Sequence, residues 1–259
     1  MPRLNPETKN KVFTLLSQAK SLNFIRRETG VKKTTAYYYM RKMHGRKIAL
    51  VNMNTTNISR NAEILGFFAG DGNYYFDAKN YSYRIILSFN SLTEKRLQEY
   101  YTHSLYLLTH KKAWIYTTKD HELRVEMKSK ELYTFLQKYL YWDKRTTKTK
   151  SVHIKDISLL NNEVFCQGFL RGLIDSDGCI SKDLRDISFG SVSFHLVQDF
   201  LVCLDTLSIS HSDIRVKKDN TGKEADFFLL RLYRQDTKRF LNLVQPAKMK
   251  RVGGDLNSG

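Results

Sequence analysis

The chain is 259 residues long, 41% hydrophobic and 27% charged, with enough apolar content to bury a sizeable core and too much for a disordered polymer. Its 43 Lys and Arg against 26 Asp and Glu leave +17 and a pI near 9.7, which points to a polyanionic partner, nucleic acid before any other. Three cysteines, Cys166, Cys179 and Cys203, make no CxxC pair, which excludes a zinc knuckle and a disulfide framework.

The first fifty residues hold twelve Lys or Arg and two acids, so +10 of the net charge sits in a fifth of the chain. Asn5 and Pro6 read as the N-cap and first position of a helix along which Val12, Leu15, Leu16 and Ala19 recur at helical spacing. A second short helix turns Leu22 and Ile25 inward, Gly30 makes a tight turn, and a third helix runs from about Lys33 with Ala36, Met40 and Met43 on one face. Residues 1–45 therefore read as a small all-α helix-turn-helix unit, whose third helix offers Lys33, Thr35, Tyr38, Arg41 and Lys42 to DNA. A small helical bundle with a solvated basic face fits the same pattern. Residues 46–60, rich in Asn, Thr and Ser, read as a linker.

The remainder repeats itself. AEILGFFAGDG at 62–72 and GFLRGLIDSDG at 168–178 are apolar helices ending in an acid and a glycine, and the acids Asp71 and Asp177 lie 106 residues apart. Ser88-Phe89-Asn90-Ser91 returns as Ser188-Phe189-Gly190-Ser191, and the alternating Leu123, Val125 and Met127 keep step with Phe228, Leu230 and Leu232. Lys144-Arg145 and Lys250-Arg251 each follow their acid by 73 residues. An internal duplication explains this pattern.

The expected fold class is α+β: two pseudo-symmetric αββαββα halves, residues 61–145 and 162–251, joined by a linker at 146–161 and followed by a tail at 252–259. Ile85, Leu87 and Phe89 supply a buried sheet face. The DNA-binding candidates outside the helical unit are Tyr75, Lys79, Arg84, Ser88, Asn90 and Arg124 in the first half, and Lys182, Arg185, Ser191, Arg215, Lys217, Arg231 and Tyr233 in the second. A merely solvated sheet face would more often mix both signs of charge.

Gly66 and Gly70, like Gly168 and Gly172, are four apart, which leaves each apolar helix a stripe without side chains. Two such helices can approach backbone to backbone about a pseudo-twofold axis, bringing the acids at their ends together. Carboxylates crowded at the negative ends of two helices repel, and a divalent cation relieves that repulsion.

Residues 170–178, LRGLIDSDG, resemble the nine-residue signature of the LAGLIDADG homing endonucleases, agreeing in seven of nine letters. The first copy at 64–72, ILGFFAGDG, keeps Gly66, the apolar pair Phe67 and Phe68, and the terminal Asp71 and Gly72. Two copies imply the single-chain form of that family's saddle-shaped fold, covering roughly residues 62–251 and leaving the N-terminal unit outside. The resemblance implies that Asp71 and Asp177 are catalytic and metal-binding, with the carbonyls of Gly70 and Ser176 also reaching metal. It implies a lysine near each scissile phosphate, for which Lys144 and Lys250 are the candidates and Lys148, Lys150 and Lys248 the rivals. It gives the first signature acid a structural role, held here by Asp175 and lost at Ala69. Family members often carry a polar residue where Phe89 and Phe189 stand, so water positioning is expected of Asn90 and Ser191.

The activity so implied is Mg²⁺-dependent hydrolysis of double-stranded DNA at a long asymmetric site, with Mn²⁺ substituting, by a monomer. The alternative is a non-cleaving transcriptional regulator or an intron maturase of the same fold, against which both acids are retained. The chain ends carry no intein nucleophile and no terminal His-Asn pair, so a free-standing enzyme is expected. With no apolar run of ~18 residues and no signal segment, it is expected to be intracellular, in a prokaryotic cytoplasm or nucleoid or in an organelle matrix.

Overall fold

Asn5 opens the first helix: its side-chain oxygen accepts from the Thr8 amide at 2.7 Å, and Pro6 takes a first-turn position that needs no N–H. This helix, α1 (Pro6–Ser17), ends before Ala19, which is exposed at φ +55 and so does not join the apolar stripe expected of it. Ser21 caps α2 (Leu22–Thr29) through the Phe24 amide at 3.2 Å, and Gly30, at φ +67, makes the left-handed turn toward α3 (Lys33–His44). Val12, Leu16, Ile25, Val31, Ala36 and Met40 close a small core of their own. The computed structural model describes residues 4–45, 53–78, 80–143, 147–218 and 226–251.

Asn57 accepts from the Arg60 amide at 2.9 Å and so starts α4 (Ile58–Asp71) earlier than the apolar pattern from residue 62 suggests. Then follow β1 (Gly72–Asp77), β2 (Ser82–Asn90), α5 (Lys95–Thr109), β3 (Trp114–Thr117), β4 (Glu122–Lys128) and α6 (Lys130–Tyr139). A connecting stretch holds β5 (Leu140–Tyr141), α7 (Lys148–Ser151), β6 (His153–Ile154) and a 3-10 turn at Ile157–Asn161. The second half repeats the first as α8 (Glu163–Ser176), β7 (Cys179–Ile180), β8 (Ile187–Ser191), α9 (Phe194–Thr206), β9 (Arg215–Lys217), β10 (Phe227–Arg231) and α10 (Arg234–Val244). A second 3-10 turn, Ala247–Arg251, ends the described chain. Both large sheets are antiparallel with the same strand order, β1-β2-β4-β3 and β7-β8-β10-β9, so the expected duplicated αββαββα architecture is what the chain adopts.

Period-2 patterning places the sheet cores. Ile85, Leu87 and Phe89 on β2 face Met127, Val125 and Leu123 on β4, and Phe189 faces Leu230 in the second half. All of these are buried in one core shared by the two halves. At its centre α4 lies against α8, with Phe67, Phe68, Phe169 and Leu173 almost fully excluded from solvent. Burial contributes roughly 1.5–3 kcal/mol for each such side chain. A Cβ added at Gly66 would lie 2.3 Å from the Phe169 carbonyl oxygen, and one at Gly172 would lie 2.1 Å from that of Glu63. The glycine stripes are therefore the surface on which the halves join. Arg171 on α8 reinforces the join, donating to the Val244 carbonyl at 2.7 Å while lying 3.4 Å from Glu63 on α4.

The stretch between the halves, expected as a linker, is instead a built element. Its buried polar groups find partners on the second half: the Ile154 amide donates to Asp199 Oδ2 at 2.7 Å, and Ser193 Oγ donates to the Val152 carbonyl at 2.8 Å. Burial pushes the Asp199 carboxyl up to about 7 from its ordinary 3.8, against the pull of the Ile154 amide. The folded state thus holds this proton where the unfolded chain has lost it, and stability falls as pH rises from about 4 to about 7. Asp199→Asn keeps an acceptor for Ile154 and removes the titration. Relative to wild type, the variant is expected to gain roughly 2–4 kcal/mol between pH 4 and pH 8, read as the difference between urea unfolding curves. An equal pH response in the two proteins would refute this account. No described helix is long and apolar enough to cross a membrane.

Candidate active site

Asp71 is the last residue of α4, and Asp177 the first beyond α8. Because the glycine stripes seat the helices backbone to backbone, their C-terminal ends adjoin: a Cβ on Gly70 would lie 2.7 Å from Asp177 Oδ2 and 2.2 Å from Ser176 Oγ. Burial, then the Asp177 carboxylate, then Glu94 push Asp71 up to about 7, while Lys248 and Lys148 pull against them. Asp177 reaches solvent, yet the protein packed around it raises its carboxyl too, again opposed by Lys148 and Lys248. Like charges partly withdrawn from solvent at two helix C-termini are held here at a cost to stability.

Each acid has a lysine beside it, and they are not the two expected from spacing. Lys148 Nζ donates to the carbonyls of Phe68, Ala69 and Gly70 at 2.5, 2.7 and 2.9 Å, closing the end of α4. Lys248 Nζ does the same for α8, reaching the carbonyls of Ile174, Ser176 and Gly178 at 3.4, 3.3 and 2.9 Å. The last carbonyls of a helix run short of backbone donors, and although the Gly72 amide still reaches Phe68 and the Asp177 and Gly178 amides reach Ile174, the ammonium groups add donors there and offset the helix-end charge. Burial pushes Lys148 down to about 7, against the attraction of Asp177 and Asp71. Lys144, Arg145 and Lys79, with the side chain of Lys250, lie outside the described residues. Lys148 follows its acid by 77 residues and Lys248 follows its own by 71, so a search for equal spacing passes over the pair.

Asp175 has the supporting place expected of it. Its buried carboxylate accepts from Tyr101 Oη at 3.0 Å, from the Ala247 amide at 3.0 Å and from the Lys248 amide at 2.8 Å, so it holds the segment that carries Lys248. Burial raises it to about 6 despite these bonds. In the other half Ala69 replaces the acid, and Phe200, stacked on Phe189 as Tyr101 packs beside Phe89, replaces the tyrosine. A polar pair in one copy is an apolar pair in the other, which leaves neither with an orphaned group.

On the first sheet Tyr75, Arg84, Ser88, Asn90 and Arg124 all lie on the face away from the helices, as the register requires. That face is not singly charged. Arg124 meets Glu122 at 2.6 Å, and the nearly buried Glu126 sits 3.9 Å from Arg84 and 3.5 Å from Lys128, with Tyr116 Oη donating to it at 3.3 Å. Arg84 and Lys128 in turn lie over the exposed rings of Tyr75 and Trp114. Glu122, Arg124, Glu126 and Lys128 stand two apart on one strand, a signal the sequence carries plainly and the overall charge obscured. The second sheet presents Arg215, Lys217 and Arg231 on the matching face, with no acid among its strand residues.

Three expectations need correction. Ser191 points to the helix side of β8, is nearly buried and accepts from the Ser193 amide at 3.1 Å, so it closes the turn into α9 and does not face DNA. Tyr38 and Arg41 are turned toward the first half, where they bond Tyr81 and Asn80. Lys182, Arg185 and Tyr233 are exposed but stand outside the strands, the first two in the β7–β8 turn and the last capping α10. Phe89 and Phe189 are core residues. Asn90 is exposed, its side chain accepting from the Leu92 and Thr93 amides at 3.0 and 3.2 Å. Glu94, whose charge bears on Asp71, was not anticipated; it caps no obvious motif and is brought to the site by the turn into α5. Among the described residues no cluster of three or more His, Cys, Asp or Glu side chains is placed to hold a metal.

Residues 165–245 match the LAGLIDADG-like domain. No curated protein matches the chain. Among solved structures, a mesophilic variant of the homing endonuclease I-DmoI superposes with a TM-score of 0.55 at 18% identity, covering 73% of this chain and 97% of that one. A substituted I-DmoI in complex with its target DNA in the presence of Mg superposes at 0.52 with 19% identity, covering 73% and 97%. Another, bound to its target DNA with Mn, does so at 0.52 with 20% identity, covering 73% and 96%. The chain thus has the fold of the LAGLIDADG homing endonucleases, and residues 165–245 carry a LAGLIDADG-like domain.

Proposed function

We propose that this chain is a site-specific endonuclease that hydrolyses both strands of duplex DNA as a monomer, using Mg²⁺ with Mn²⁺ as a substitute. One observation carries the reading: two aspartates, both raised by the protein packed around them, stand at adjoining helix ends, each with a lysine ammonium at its side. A binding protein has no need of a like-charged pair held against its own repulsion. The I-DmoI complexes with DNA in the presence of Mg or Mn agree with it.

The residues present fit a hard divalent cation. The Asp71 and Asp177 carboxylates and the Gly70 and Ser176 carbonyls are oxygen donors of the kind Mg²⁺ takes, and burial raises both acids, a cost that a bound cation would offset. When bound, the cation supplies a Lewis acid for the phosphate and lowers the pKa of water. Asp71 and Asp177 hold and orient it, one acid for each strand. Lys148 and Lys248, beside the two acids, place positive charge where the phosphate develops negative charge. Asn90 is exposed at the end of β2, and orienting water is the role that the family resemblance gives it. The two sheets lie on the DNA, the first through Tyr75, Arg84, Ser88 and Arg124, the second through Arg215, Lys217 and Arg231. The contrast between a paired acid-base face and a purely basic one suits an asymmetric site, since carboxylates accept from cytosine amino groups and arginines pair with guanine.

The test is a cleavage selection. The purified chain is incubated with randomised duplexes in MgCl₂, and the ends produced are captured and sequenced. A long consensus with a fixed break in each strand is expected with Mg²⁺ or Mn²⁺, and none with EDTA. Duplexes retained by the protein but never broken would overturn the nuclease reading and leave a binding protein.

A further inference from the structure

Helix α3 is divided along its length. Its C-terminal half is fastened to the first half of the saddle: Tyr38 Oη and Tyr81 Oη share a hydrogen bond at 3.1 Å, and Arg41 donates to the Asn80 carbonyl at 2.9 Å. Lys130 at the start of α6 donates to the Lys42 carbonyl at 3.2 Å, and His44 lies 4.0 Å from Glu131. Gly45 closes the contact, since a Cβ there would stand 3.3 Å from the Tyr81 carbonyl oxygen. The docking partner is the turn between β1 and β2. Strand β1 leaves Asp71 directly and runs six residues to that turn, roughly 20 Å from the acid.

Among the described residues the first turn of α3 has no such partner. Lys32, Lys33, Thr34 and Tyr37 are exposed, with the Arg41 guanidinium 5.9 Å from the Tyr37 ring, so the docked and open faces meet at one side chain. The unit from residue 4 to 45 holds nine Lys or Arg against two acids, and all nine but Arg41 are exposed. The open part of α3 therefore adds exposed basic charge at the end of the first half where the β1–β2 turn lies.

We propose that the N-terminal three-helix unit is a fixed reader of duplex DNA flanking the site on the side of the first half. Lys32 and Lys33 contact phosphates, Thr34 and Tyr37 meet the groove, and the Tyr38 and Arg41 bonds set the unit's orientation. This differs from a tethered arm and assigns reading to residues other than Tyr38 and Arg41. It rests on the nuclease reading only in that the sheets lie on DNA.

The experiment uses the full chain without metal. Binding to a labelled duplex of about 60 base pairs of random sequence is followed over a KCl series, for wild type and for Lys32→Ala combined with Lys33→Ala. The slope of log affinity against log salt is expected to fall by about 2. Duplexes enriched by wild type are then footprinted, and protection is expected to reach further on one side. Inserting five base pairs, about half a helical turn, between core and flank is expected to remove the flank protection in wild type and to be tolerated by Tyr38→Ala combined with Arg41→Ala. An unchanged salt slope, a symmetric footprint, tolerance of the insertion by wild type, or preference for duplex RNA overturns the proposal while leaving core binding in place. Failure of wild type to bind duplex DNA at all overturns the nuclease reading as well.

Discussion

Asp177→Asn and Asp71→Asn are each expected to lower double-strand cleavage by at least ~10³-fold while changing duplex affinity by no more than about threefold. Asparagine keeps the shape and one oxygen and loses the charge that holds a cation. The structure adds a second signature. Asp71 is held near 7 by burial and by the Asp177 carboxylate, so its ionised form at pH 7.5 works against folding. Removing either charge relieves that repulsion, and unfolding in urea at pH 7.5 should show the variants as stable as wild type or up to ~2 kcal/mol more stable. Lost cutting with undiminished stability identifies a site maintained for chemistry. Retained cutting would remove these residues from the mechanism, and lost stability would make them structural caps.

Gly172→Ala is expected to destabilise the chain by about 3–5 kcal/mol or to prevent folding, measured as the shift in urea midpoint. A methyl group there meets the Glu63 carbonyl at 2.1 Å and the Phe67 amide nitrogen at 2.5 Å, both backbone atoms of α4 that cannot rotate away. The two helices would have to separate, and the pair of acids at their ends with them. Ser176→Ala, one turn further along α8, is a control: its hydroxyl donates to the Gly172 and Leu173 carbonyls of its own helix, and the change should stay within about 1 kcal/mol. Equal effects from the two substitutions would show that the glycine stripe is not where the halves are joined.

The elements were legible because their signals are local. Asn5 caps its helix within three residues of itself, and Leu87 and Val125 sit in strands whose alternation alone names the buried face; Asn57 caps α4 in the same way, but the polar run around it reads as linker. The duplication was legible because Asp71 and Asp177 end helices of matching pattern. Ala19 misled because helical spacing persists past Ser17, where the backbone turns to positive φ. The acids of β4 were readable at two-residue spacing, and the +17 of the whole chain outweighed them.

Two aspartates, each at the end of a glycine-striped helix, were written in the sequence, since spacing along one helix is enough to set a stripe and an end. Tertiary structure alone decided which lysines stand beside them, because Lys148 and Lys248 arrive by connections of different length and only the folded path brings both to a helix end. It alone decided that Asp175 holds Lys248 while Ala69 and Phe200 leave the other copy apolar, a matter of contacts between halves. And it alone turned Tyr38 and Arg41 inward, because their partners Tyr81 and Asn80 lie some forty residues along the chain and nothing local announces them.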